Sequence, residues 1–318
     1  MPTYVVKRVF QVLVVLVIVT IGVSLAMRLL PGDPIRMYLT SSQQGQVSAA
    51  QVQALRHEKG LDRPLPVQYV AWVGGLLHGD LGDSILYGSP VSDRIKHALP
   101  ITMYIGLLGF LIGTALGTAV GVVCAVRRGT WLDTVLTSLS NIGTTLPIFW
   151  LGVMMIYVFS IYLHWLPVGG FTWPTQGLVT SVKQTIMPVL CIAIFPLAAT
   201  ARQTRSSMLE VMRQDFIRTA WSTGLRERAV VVQHALKNAL IPILTLSGIN
   251  LGIVLGGDVL VESVFNIPGM GRLAVTSVVS QDYPYVQAIA LIVAAMILLV
   301  NLITDIAYLW IDPRIRYT

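Results

Sequence analysis

Residues Leu99 to Val126 read LPITMYIGLLGFLIGTALGTAVGVVCAV, without one charged side chain. At about 1.5 Å per residue, roughly 20 apolar residues in a helix cross a hydrocarbon core about 30 Å thick. This stretch is long enough to span a bilayer, and the chain repeats the pattern. Comparable runs lie near Val9 to Leu30, Thr134 to Leu163, Ile186 to Ala201, Ala239 to Val261 and Val286 to Ile311. The fourth of the six is short and holds Pro188 and Pro196, which a membrane helix tolerates when neighbours satisfy the freed carbonyls. The expected fold is an all-α membrane protein of six transmembrane helices, forming a single transmembrane domain over residues 1–318.

Composition agrees. The chain is 54% apolar and only 12% charged, against about 25% charged in soluble domains. Cys124 and Cys191 each sit inside an apolar run and offer neither a disulfide framework nor a CxxC metal site. A net charge of +7 could signal nucleic acid, but the basic residues flank apolar runs and do not interleave with aromatics. Membrane topology accounts for them instead. The first run follows Lys7 and Arg8 and ends near Ser24-Leu25-Ala26, which imitates a signal-peptidase site. Its length of about twenty residues exceeds the roughly 7–15 of a signal-peptide core, so a retained first span is expected.

If six spans alternate, Lys7, Arg8, Arg127, Arg128, the cluster from Arg202 to Lys237, Arg314 and Arg316 fall on one side. That side is expected to be the cytoplasm, with both termini there. The opposite side holds residues 31–98, where Arg36, Arg56, Lys59, Arg63, Arg94 and Lys96 are matched by Asp33, Glu58, Asp62, Asp80, Asp83 and Asp93. Within it, Pro31-Gly32-Asp33-Pro34 predicts a turn, Gln51 to Lys59 a short helix ended by Gly60, Pro64 and Pro66 extended backbone, and Gly79 to Ser84 a loop.

The inner segment 202–237 is the longest polar stretch on the basic side. Asp215 can cap a helix from Phe216 to Thr223. Gly224 supplies a left-handed closure, and Glu227 begins a second helix through Lys237, with Arg218, Arg226 and Arg228 nearby. Such a knob suits docking into a groove on another protein. Pattern alone leaves a plain basic inner loop equally open.

Here the sequence resembles a family. Asp215-Phe216-Ile217-Arg218-Thr219-Ala220, Gly224-Leu225 and His234-Ala235-Leu236-Lys237-Asn238-Ala239-Leu240-Ile241-Pro242 look like the signature loop of ABC importer permeases. The wider match is to the peptide, nickel and glutathione permease group, through Leu30-Pro31-Gly32-Asp33-Pro34, Gly60-Leu61-Asp62-Arg63-Pro64-Leu65, His78-Gly79-Asp80-Leu81-Gly82, Thr204-Arg205-Ser206-Ser207-Met208, Pro268-Gly269-Met270-Gly271-Arg272, Asp282-Tyr283-Pro284 and Asp312-Pro313-Arg314-Ile315-Arg316. Two departures stand out. Trp221-Ser222-Thr223 replaces a basic pair before the loop glycine, and Ile267 replaces a Trp before the later Pro-Gly.

The resemblance implies a type I ABC importer permease fold in the bacterial inner membrane. It implies a coupling helix that sits in a cleft of an ATPase subunit, which places Asp215, Thr219, Ala220, Gly224 and Leu225 at that contact. The implied partners are a homologous second permease subunit, two ATPase subunits and an extracytoplasmic solute-binding protein. ATP and Mg would bind at the ATPase subunits, and no cofactor at this chain. Peptides are the implied cargo, with nickel, a metal chelate or glutathione as alternatives.

No G-x-x-x-x-G-K-[ST] loop occurs, so ATP hydrolysis by this chain is not expected. An ion-coupled secondary transporter would need ionisable residues at membrane depth. The candidates lie near span ends, close to water: Asp305, with Asn301 one turn earlier, at the inner end of the sixth span, and Asp258 with Glu262 at the outer end of the fifth. The first pair reads as packing groups. Asp258 and Glu262 lie on a span rich in Gly248, Gly252, Gly256 and Gly257, which allow close helix approach. Resemblance to the family would put that span at the subunit seam on the solute path, and plain packing is the alternative. His57, His78, His97, His164 and His234 are scattered without metal-ligand spacing. No G-x-S-x-G or H-E-x-x-H motif points to an enzyme.

Overall fold

A computed structural model describes residues 2–29, 32–42 and 48–311. The Asp312 to Arg316 motif, and Leu30-Pro31 at the head of the first expected turn, lie outside the described residues. In chain order the helices are α1 (Pro2–Leu29), α2 (Pro34–Ser42), α3 (Ala49–Glu58), α4 (Leu65–Leu77), α5 (Val91–Val126), α6 (Trp131–Thr145) and α7 (Ile148–Met155), the last continuing as a wider π-helical segment, Ile156–Tyr162. Then come α8 (Leu178–Val211), α9 (Asp215–Ser222), α10 (Glu227–Ala229), a second π-helical segment (Val230–Leu236), α11 (Lys237–Leu255), α12 (Val259–Val264), α13 (Met270–Val279) and α14 (Tyr283–Ile311). The described residues contain no strand, only an isolated bridge between Asp83 and Pro90.

Five stretches are long and apolar enough to cross a membrane: α1, α5, α8, the run from Glu227 to Val264, and α14. The pair α6 and α7 forms a sixth when taken as one broken span, since its two halves meet at a bend of 104°. The continuous third span expected from Thr134 to Leu163 is therefore corrected. Pro147 pushes Leu146 into extended backbone (φ −67°, ψ 129°), because the proline ring disfavours a helical predecessor. The fourth span is also corrected, from Ile186–Ala201 to the 34 residues of α8, with Pro188 and Pro196 both inside and buried.

The chain divides into two compact units, residues 1–102 with 268–296, and residues 103–267 with 297–318. In the first unit, Val91, Ile95 and Ala98 of α5 pack with Met270 of α13 and with Tyr285, Ala288 and Ile289 of α14. A second cluster joins Met27, Ile35, Leu39, Val52, Ile85 and Tyr283. Asp282 organises the loop between α4 and α5: Ser84 donates to its carboxylate at 2.5 Å, and the Ile85 amide at 3.1 Å. Asp33 accepts from Arg56 at 2.7 Å and from the Ile35 amide at 3.0 Å, fastening α3 to the start of α2.

The short helix expected to begin at Gln51 starts at Ala49 instead. Ser48 and Gln51 form a capping box there, each side chain satisfying the other's amide. Gly60 ends the turn at φ +64°. The extended backbone anticipated at Pro64 is present (φ −55°, ψ 143°), at the position just before α4, whereas Pro66 corrects the expectation by lying inside the first turn of α4. A proline in the first helical turn loses no hydrogen bond, since that amide has no partner in the helix.

In the second unit, α5 approaches α8 along Gly109, Gly113, Gly117 and Gly121, which share one face at four-residue spacing. A methyl group on Gly109 would sit 2.6 Å from Ile192, and one on Gly117 2.5 Å from the Leu197 carbonyl. Gly248 of α11 likewise faces Thr304 of α14 with no room for a side chain. Small residues let helix backbones close in where lipid offers no hydrophobic drive for association.

Candidate functional site

The segment after α8 builds a compact projection. Its first helix, α9, begins at Asp215 after Gln214, whose extended backbone (φ −77°, ψ 152°) occupies the capping position. Asp215 is thus the first helical residue and not the cap, which corrects the sequence reading. Its carboxylate is 96% exposed and meets Arg218 at 3.4 Å, and negative charge in a first turn still suits the helix dipole.

The buried face of α9 is Ile217 and Ala220. They pack with Ala125, Met208, Val230, Val231, Ala235 and Ala239 from the ends of α5 and α8 and from the following helix. Phe216, Trp221 and Leu225 stay exposed. Thr219 donates its hydroxyl back to the Asp215 carbonyl at 3.1 Å. Of the five residues expected to couple, Asp215, Thr219, Gly224 and Leu225 face outward and Ala220 faces the chain's own core.

Gly224 closes α9 at φ +77°, a conformation in which any Cβ is strained. The second helix does not stop near Lys237 as expected. It runs from Glu227 through the π-helical segment into α11 and ends only at Leu255. The projection is therefore one end of a helix that reaches membrane depth.

At the far end of α11, Gly256 and Gly257 interrupt the helix, with Gly257 at φ +90°. Asp258 then caps α12, accepting from the Val261 amide at 3.2 Å. Glu262, one turn on, is 3% exposed. Asp258 lines a cavity of about 420 Å³ with residues of α6, α7, α8 and α11.

Sequence reasoning missed a buried ion pair. Asp133, in the first turn of α6, is 4% exposed and receives both Nε and Nη2 of Arg205 at 2.7 and 2.9 Å. The Gly129 amide and the Thr137 hydroxyl add bonds of 3.1 and 3.3 Å. Arg205 also borders an open cavity of about 720 Å³ lined by Asn141, Arg202, Glu210 and Arg213. A carboxylate in the first turn of an apolar run, on a chain so poor in acids, was the signal available.

Residues 117–317 match the family model described as a binding-protein-dependent transport system inner membrane component, and residues 1–106 match the model of the N-terminal part of such a membrane component. The chain belongs to this family. As an inner membrane component it is a transport subunit, and its relatives agree over their whole length. A probable peptide ABC transporter permease of Sinorhizobium fredii is 39% identical over 317 residues, covering 100% of both chains. A glutathione transport system permease of Pectobacterium atrosepticum is 38% identical, again covering 100% of both. Among solved structures, an inward-facing MetNI methionine ABC transporter matches with a TM-score of 0.55 at 16% identity, covering 69% of this chain and 96% of that one. An amino acid ABC transporter matches at 0.50 and 17%, covering 70% and 95%. The inner membrane component thus has the type I ABC importer permease fold.

Proposed function

We propose that this chain forms half of the translocation pore of an ATP-driven importer for peptides. A second permease subunit would complete the pore, two ATPase subunits would bind and hydrolyse ATP with Mg, and an extracytoplasmic binding protein would deliver the cargo. The observation that carries the reading is the α9 to Gly224 projection, a small amphipathic helix packed on its own chain by one face and presenting Phe216, Trp221 and Leu225 on the other. Exposed aromatics with the exposed Asp215, Arg218 and Arg226 on the same short segment fit a docking knob better than a solvated loop.

The excess of basic residues in α8 and the following segment supports a cytoplasmic knob, with residues 31–98 outside and both termini inside as the matching orientation. Because α10, the π-helical segment and α11 are continuous, force applied at the knob would travel along one rigid element to the break at Gly256 and Gly257. Switching a pore from about 1:99 to 99:1 requires about 5.5 kcal/mol of differential binding, which an ATPase pair gripping the knob can supply. The names of full-length relatives favour peptides, with glutathione, itself a small peptide, as the nearest alternative.

The test is co-purification from native membranes in mild detergent, with Gly224→Val as the control. An ATPase subunit retained by the native chain and lost with the variant supports the reading. A chain that purifies alone and still drives gradient-dependent uptake in liposomes overturns it.

A further inference from the structure

The cavity of about 420 Å³ beside Asp258 opens where the second unit interrupts its helices: at Leu146 between α6 and α7, at Gly257 between α11 and α12, and along Pro196 of α8. Its size falls within the usual range of small-molecule pockets, roughly 300–1,000 Å³. Asp258 is the one charged side chain on its wall. Apart from Thr144 and Cys191, the other side chains are apolar, among them Leu151, Phe195 and Leu260.

Capping α12 does not call for a charge. Ser, Thr or Asn would accept the Val261 amide as well as a carboxylate does, without setting an anion in an apolar wall. Yet Asp258 meets only backbone amides, those of Leu260 and Val261, and no cationic side chain among the described residues. A structural cap alone leaves this charge unexplained.

A metal ion is a poor occupant, because the described residues contain no group of three His, Cys, Asp or Glu side chains placed to hold one. An organic cation with an apolar body fits both the carboxylate and the walls. We propose that this cavity is a subsite for a cationic group of the cargo, the protonated amine of a peptide, with the Asp258 carboxylate as its counter-charge. The proposal rests on the importer reading for the identity of the cargo, but the site itself can be probed without transport.

In intact membranes, Leu260→Cys is placed in a Cys124→Ser, Cys191→Ser background, and its reaction rates with cationic aminoethyl and anionic sulfonatoethyl methanethiosulfonate are compared. A nearby carboxylate raises the cation-to-anion ratio, and Asp258→Asn, which keeps the cap, should lower it about tenfold. Asp258→Ser, a second good cap, should do the same. A ratio unchanged within about twofold overturns the proposal, as does a thiol that neither reagent reaches. The importer arm measures uptake of labelled dialanine into cells, with Asp258→Glu retaining uptake and Asp258→Asn losing it. If Asp258→Asn transports as well as the native chain, the counter-charge role fails. If the native chain carries no dialanine while the reagent ratio still falls, the peptide reading fails and the cation site stands.

Discussion

Replacing Asp133 with Leu should destabilise the chain well beyond an ordinary surface substitution. Its carboxylate accepts four hydrogen bonds, two of them from the Arg205 guanidinium at 2.7 and 2.9 Å. At an effective dielectric near 20, charges about 4 Å apart attract by about 4 kcal/mol. Removing one member of a buried pair costs about 3–5 kcal/mol, because the other charge is stranded. The Arg205 side chain remains 30% exposed and can recover some hydration, so about 2–3 kcal/mol is expected here. Removing both charges in Asp133→Leu with Arg205→Leu strands nothing and should cost less than Asp133→Leu alone. The assay is a double-mutant cycle read by reversible unfolding in mixed detergent micelles. Coupling of at least about 1.5 kcal/mol is expected, and additivity of the two substitutions within about 0.5 kcal/mol would refute the reasoning.

Further outcomes follow from other contacts. Gly117→Leu should block the approach of α5 to α8, since a Cβ there would already lie 2.5 Å from the Leu197 carbonyl; the variant should fail to accumulate in membranes while Gly22→Leu, where nothing lies within 4 Å, accumulates normally. Asp282→Ala should release Ser84 and Ile85 at a cost of about 1–3 kcal/mol, seen as faster proteolysis of the loop between α4 and α5. The hydrogen bond from His57 at 2.5 Å holds the Asp62 carboxyl below its ordinary value. A depressed carboxyl contributes stability above its unfolded pKa, near 4, and loses it as the pH falls further. An NMR titration should therefore show Asp62 titrating low and returning toward the ordinary value in His57→Ala.

Sequence made the spans legible because a bilayer demands long apolar runs, and it made Gly224 legible because few residues besides glycine tolerate its backbone. In two of the places where it went astray, a proline was the reason. Pro147 sits in a run apolar enough to be read as continuous, and only its effect on Leu146 shows that the span breaks. Pro64 and Pro66 look like helix breakers in a polar loop, yet Pro64 merely precedes α4 in extended backbone and Pro66 occupies a first-turn position where proline costs nothing. The prolines of α8 changed nothing at all, and the helix runs through both. One residue type therefore starts, bends or merely decorates a helix according to its distance from the helix end.

The partners of side chains were the other unreadable layer. Asp133 and Arg205 are 72 positions apart and lie in different helices, α6 and α8, so no local pattern joins them. The glycines of α5 stand four residues apart, a spacing the sequence reading passed over because its meaning depends on the helix that fills the groove, which α8 supplies only after folding. Asp258 stands between these cases. Its glycine neighbours read as a packing face, and the structure instead ends α11 there and starts α12 with the cap on Val261. Its choice as a carboxylate where an uncharged cap would serve is the part that folding alone does not explain, and for that reason its counter-charge has to be sought outside the described residues of the chain.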